Sequence, residues 1–88
     1  MKMKNTIELI MEASIKVAHG SKLKFLKNDL AAIAKENLSN NEMVEKLKGI
    51  FENANYAGDY KAGQLSFLLD DYLNNYDVTE ELKEIITK

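Results

Sequence analysis

The chain has 88 residues and a formal net charge of −2, with no proline, cysteine, tryptophan or arginine and a single histidine, His19. Those absences exclude disulfides, Cys-type zinc sites and the arginine that usually grips guanine or stacks on bases. They leave little to interrupt helices, and the length suits one domain built on one core.

Apolar spacing is helical from end to end. The first segment runs from about residue 5 to residue 18. Asn5 or Thr6 caps it, because a short polar side chain accepts a bond from an orphan amide. Ile7, Ile10, Met11, Val17 and Ala18 share a face with Ser14 in the gap, and Leu9, Ala13 and Ile15 widen the stripe. His19 and Gly20 end it, with Gly20 the expected left-handed residue after the helix.

The second segment is expected over residues 21–38, on a stripe of Leu23, Leu26, Leu30, Ile33 and Ala34 with Phe25 beside it. Ser39 and Glu42 have the spacing of a capping box for the third segment. That segment carries Met43, Val44, Leu47, Ile50, Phe51 and Ala54. Gly49 inside it costs about 1 kcal/mol against alanine, which suggests a close helix crossing there.

Ala57 and Gly58 close the third segment, and Asp59 caps the fourth. Its stripe is Leu65, Leu68, Leu69, Tyr72 and Leu73, with Phe67 at one margin and Gly63 early, where fraying is cheap. Residues 74–78 form a break. Thr79 then caps a short fifth helix holding Leu82, Ile85 and Ile86, with Glu80 and Glu81 at the positive end of its dipole. No strand pattern appears. Short connections force sequential helices to run antiparallel. The expected fold is all-α: an antiparallel up-down four-helix bundle with a short fifth C-terminal helix packed across one end.

Charge divides unevenly, at +4 over residues 1–28 and −6 over residues 29–88. Glu8, Glu12 and Lys16 break the apolar run that a signal peptide would need, and no run approaches the roughly 18–20 residues of a membrane span. A soluble, cytoplasmic protein is expected. No Glu-x-x-His pair, calcium loop or glycine-rich phosphate loop is present, so neither a cofactor nor a metal is expected. His19 at a helix C-terminus suits a dipole contact better than catalysis. Asp70 and Asp71 are adjacent on a helix, so their side chains diverge by about 100°.

Two surface patterns remain. Lys22, Lys24 and Lys27 fall in the first two turns of the second helix, where the dipole disfavours cations. With Lys16, Lys2 and Lys4 they form a patch that would attract an anionic surface, such as an acidic membrane. The second pattern is tyrosine. Tyr56, Tyr60, Tyr72 and Tyr76 lie within 21 residues of the C-terminal half. Tyr72 belongs to the core stripe. Tyr56, Tyr60 and Tyr76, with Asp70 and Asp71, read as an acidic-aromatic surface for a protein partner, since tyrosine is enriched at interface centres.

The run Asn55-Tyr56-Ala57-Gly58-Asp59-Tyr60, the helix through Leu65, Leu68 and Leu73, and the stretch from Val78 through Thr79, Glu80, Glu81 and Leu82 to Ile86 resemble the enterocin A/pediocin-like bacteriocin immunity proteins. The resemblance spans residues 23–87 in pattern and residues 55–86 in motif. It implies a helical bundle without enzymatic activity that protects its producer cell at the inner membrane face. The implied partner is a complex of bacteriocin and sugar-permease receptor, contacted through the tyrosine-rich half. An antitoxin or a phage-type inhibitor of another protein is the alternative function, and a helical DNA-binding regulator ranks below both because arginine is absent.

Overall fold

A computed structural model describes residues 5–88; Lys2 and Lys4, which the lysine patch was expected to include, lie outside the described residues. Five helices follow one another: α1 (Thr6–Gly20), α2 (Lys24–Lys35), α3 (Asn40–Tyr56), α4 (Tyr60–Leu73) and α5 (Thr79–Thr87). The described residues contain no strand. None of these helices is long and apolar enough to cross a membrane.

Local chemistry sets most boundaries. Asn5 caps α1, its Oδ1 accepting the Glu8 N–H at 2.8 Å. Ser39 and Glu42 form the full capping box of α3, each side chain accepting the other's backbone N–H at 3.3 Å. Asp59 caps α4 by accepting the Ala62 N–H at 3.1 Å. α3 and α4 both end in Schellman turns, which satisfy the last carbonyls through a left-handed residue. In the first, Gly58 has φ +102°, with Gly58 N–H donating to Asn55 O and Asp59 N–H to Ala54 O. In the second, Asn75 takes the left-handed position at φ 68°, with Asn75 N–H donating to Tyr72 O and Tyr76 N–H to Asp71 O. Asparagine tolerates that conformation better than other side chains.

Three expectations are corrected. Gly20 is not left-handed; it is the last residue of α1, and Ser21 follows in an extended conformation. α2 begins at Lys24 rather than Ser21, because the Ser21 hydroxyl accepts the Leu23 N–H at 3.1 Å and holds residues 21–23 in a turn. α2 also stops at Lys35, so it has 12 residues. Thr79 does not cap α5; Val78 precedes the helix, and the Asp77 carboxylate accepts the Thr79 N–H at 3.0 Å.

The core is a single apolar cluster. Ile10, Ala13, Leu26, Val44, Leu47, Phe51, Ala54, Leu65, Leu69 and Leu82 are wholly buried within it. α1 touches all four other helices and supplies six buried residues, so it is the centre of the molecule. α3 and α4 form the most extensive pair, and they run antiparallel: Lys48 meets Asp70 near one end and Asn55 meets Gly63 near the other. α2 packs on α3, with Glu36 bonded to Lys46. α5 lies along α1 rather than across an end. Thr6 and Thr79 share one cleft, and Lys16 Nζ donates to Ile86 O at 2.6 Å, so the two helices run in the same direction.

Candidate functional site

Burial of the apolar stripes leaves a different set of rings outside. Tyr56 is 87% exposed, Tyr60 82% and Phe67 70%. Large aromatic side chains left in water forgo about 1.5–3 kcal/mol each that full burial would return. A group of them on one face is the pattern expected of a surface completed by a partner.

The α3–α4 pair positions these rings. Lys48, Glu52, Asn55 and Tyr56 occupy the outward edge of α3 at helical spacing, and Ser66, Phe67 and Asp70 face them from α4. Together they line an open groove of about 300 Å³. Tyr60 precedes Phe67 by seven residues, two turns, and so continues the aromatic line along the same face of α4.

Each end of the groove is fixed by a specific contact. At one end Lys48 Nζ lies 2.9 Å from Asp70 Oδ1 and 3.6 Å from Glu52 Oε1. The hydrogen bond to Asp70 holds the Lys48 ammonium above its ordinary pKa, against a desolvation effect that acts the other way. Asn74 Nδ2 donates to Asp70 O at 3.0 Å, which ties the end of α4 to the same residue. At the other end the Asn55 side chain rests on Gly63, and the Ser66 hydroxyl donates to Gly63 O at 2.7 Å. Such an arrangement offers apolar area between fixed charges. That combination suits recognition of a protein surface.

The expected tyrosine-acid surface is thus only partly one surface. Tyr56 and Asp70 line the groove, and Tyr60 extends it. Asp71 is half-buried beside them, outside the groove lining, and its carbonyl accepts the Tyr76 N–H. Tyr76 is 66% exposed but sits at the far end of α4, about 20 Å of helix away, in a cleft with Thr6, Asn41, Asp77 and Thr79. It does not join Tyr56 and Tyr60. Phe67 does, although it reads in the sequence only as a margin of the stripe. Its seven-residue spacing from Tyr60 was the signal that identifies it.

The lysine patch is also redrawn. Lys24 opens α2 and Lys27 follows on the same helix, both exposed, with no acid in the first turn and no side-chain cap. Lys22 lies in the preceding turn and lines a cleft with Tyr60, Asp59 and Lys61. Gly49 provides no close crossing, since a β-carbon there would meet nothing within 4 Å. The close approach belongs to Gly63. His19 is exposed in the last turn of α1, and no group of three or more acidic or histidine side chains among the described residues could hold a metal ion.

No family model, curated protein or solved structure matches the chain.

Proposed function

We propose that this protein is a non-enzymatic partner-binding module whose contact surface is the α3–α4 groove, and that it acts as a bacteriocin immunity protein. In this reading it works in the cytoplasm, peripheral at the inner membrane face, and engages a complex of bacteriocin and sugar permease. Lys22, Lys24 and Lys27 then face the anionic membrane while the groove meets the protein partner. The observation that carries the proposal is the alignment of Tyr56, Tyr60 and Phe67, all more than two-thirds exposed, along one face of the α3–α4 pair, with Phe67 between the Lys48–Asp70 pair and the Asn55–Gly63 contact and the two tyrosines just beyond that contact. Exposed rings of this kind are the residues that dominate binding energy at interface centres.

We read α1–α4 as an antiparallel up-down four-helix bundle, with α5 as the short fifth helix. Support comes from the antiparallel α3–α4 pair and from connections of three to four residues between the four helices.

Expression in a strain sensitive to pediocin-like bacteriocins tests the function. Resistance to one bacteriocin and not to others supports immunity. Unchanged sensitivity across the panel contradicts it. If the chain instead restores growth to cells carrying a toxin, the antitoxin reading replaces it.

A further inference from the structure

α4 and α5 both pack on α1 but meet each other only sparsely. The space left between them is a cavity of about 170 Å³ with Val17 and Ile85 among its lining and Lys16, Lys61, Gln64 and Lys88 around it. This cavity shares Gly20, Ser21, Asp59 and Lys61 with the cleft that Lys22 and Tyr60 line, so the two form one continuous depression. Lys16, Lys22, Lys61 and Lys88 reach it from α1, the α1–α2 turn, α4 and the end of α5. Among the described residues Asp59 is the sole carboxylate side chain lining it, and that group is engaged in capping α4. Lys22, Lys61 and Lys88 form no ion pair among the described residues, whereas Lys46, Lys48 and Lys83 all do.

Lys16 gives one N–H to Ile86 O at 2.6 Å and keeps its other ammonium donors. In a chain of net negative charge, this convergence of lysines is local. From it we propose that the cleft binds a small amphipathic anion: a phosphate or carboxylate head held by Lys61 and Lys16, with a short apolar chain on Val17 and Ile85. Charge complementarity selects the head. The low dielectric of the walls strengthens its attraction to the ammonium groups. The size selects the tail, since pockets for drug-sized ligands run to about 300–1,000 Å³ and the enclosed part here is smaller. A flat bilayer surface would not reach the cavity floor. The cavity shares no lining residue with the α3–α4 groove, and only the open cleft beside it meets the aromatic line, at Tyr60.

Octyl phosphate, titrated below its micelle concentration into the full chain and followed by amide NMR shifts, tests the proposal. Saturable shifts at Gly20, Ser21, Lys61, Gln64 and Ile85 are expected, with binding weakened by added salt. Lys61→Glu should weaken binding at least tenfold. Lys22→Glu, at the open end, should weaken it less. Neither residue has a structural partner to lose, and circular dichroism checks that both variants stay helical. Octyl glucoside, with the same tail and no charge, should bind at least tenfold more weakly. Absence of saturable shifts overturns the proposal, as does equal binding of the neutral amphiphile. Shifts caused by phosphatidylglycerol vesicles but not by octyl phosphate would overturn it in favour of membrane contact.

Discussion

The Asn55 side chain occupies the space beside Gly63 that a β-carbon would need, with Asn55 Cγ 2.6 Å and Nδ2 3.1 Å from that position and Oδ1 closer still. This contact lets α3 and α4 approach closely next to the aromatic groove. Gly63→Ala should therefore change stability by less than about 0.5 kcal/mol, because the gain in helix propensity is offset by swinging the flexible Asn55 side chain away before the methyl group fits. With Asn55→Ala in place the obstacle is gone. Gly63→Ala should then stabilise by about 0.5–1 kcal/mol through helix propensity. Urea unfolding of the four-member cycle reads that coupling directly.

The other glycines make opposite predictions. At Gly49 a β-carbon meets nothing and φ is ordinary, so Gly49→Ala should stabilise α3 by about 1 kcal/mol. At Gly58 space is equally free but φ is +102°, so Gly58→Ala should cost about 1–2 kcal/mol. Asn75→Gly should be neutral or slightly stabilising, while Asn75→Ala should cost about 1 kcal/mol at φ 68°. Thermal melts of the four variants check this order.

Ser14 Oγ is wholly buried in α1 and has no hydrogen-bond partner among the described residues. An unsatisfied buried hydroxyl costs about 1–3 kcal/mol. Ser14→Ala should raise stability by about 1 kcal/mol, measured as a higher urea midpoint at unchanged slope.

These residues show what the sequence makes legible and why the rest escapes it. Helix number and the caps at Asn5, Ser39, Glu42 and Asp59 follow from local hydrogen bonding within four residues. Gly58 is legible for the same reason. The turn at residues 21–23 is local too, yet Ser21 has two local options, capping a helix or holding a turn, and the hydrophobic stripe through Leu23 favours the wrong one. Gly49 and Gly63 exchange their expected roles because only tertiary packing decides which glycine faces a neighbour. Gly49 points to solvent and Gly63 to Asn55. Phe67 escapes because its apolar character argues for burial, and its seven-residue spacing from Tyr60 tells only which ring it aligns with, not that the shared face is left in water. The lysine cleft is invisible because Lys16, Lys22, Lys61 and Lys88 are brought together only by the packing of α4 and α5 on α1.

Acid should loosen two helix starts. Hydrogen bonds from Ser39, through its side chain first and then its backbone, depress the Glu42 pKa, and those from Thr79 do the same for Asp77. A depressed carboxylate contributes stability that is present above its unfolded value and lost as pH falls through its folded value. The melting temperature should drop as pH is lowered through and below the ordinary carboxylate range. Asp77→Ala and Glu42→Gln should each flatten that acid limb. Lys48 has the opposite sign: its raised pKa gives a contribution present below the ordinary lysine value and lost as pH climbs through the folded one. Lys48→Gln should flatten the alkaline limb.

Recognition by exposed rings predicts a separation of stability from function. Tyr56→Ala and Phe67→Ala remove side chains that stand mostly in water, so each should shift stability by less than about 0.5 kcal/mol. The most direct measurement is the bacteriocin dose that kills a sensitive strain expressing the wild-type chain, the Tyr56→Ala/Phe67→Ala double variant, or Tyr76→Ala, at matched protein levels. Wild type and Tyr76→Ala should protect, and the double variant should lose at least tenfold in protection at an unchanged urea midpoint. A double variant that protects as well as the wild type would contradict recognition by these rings.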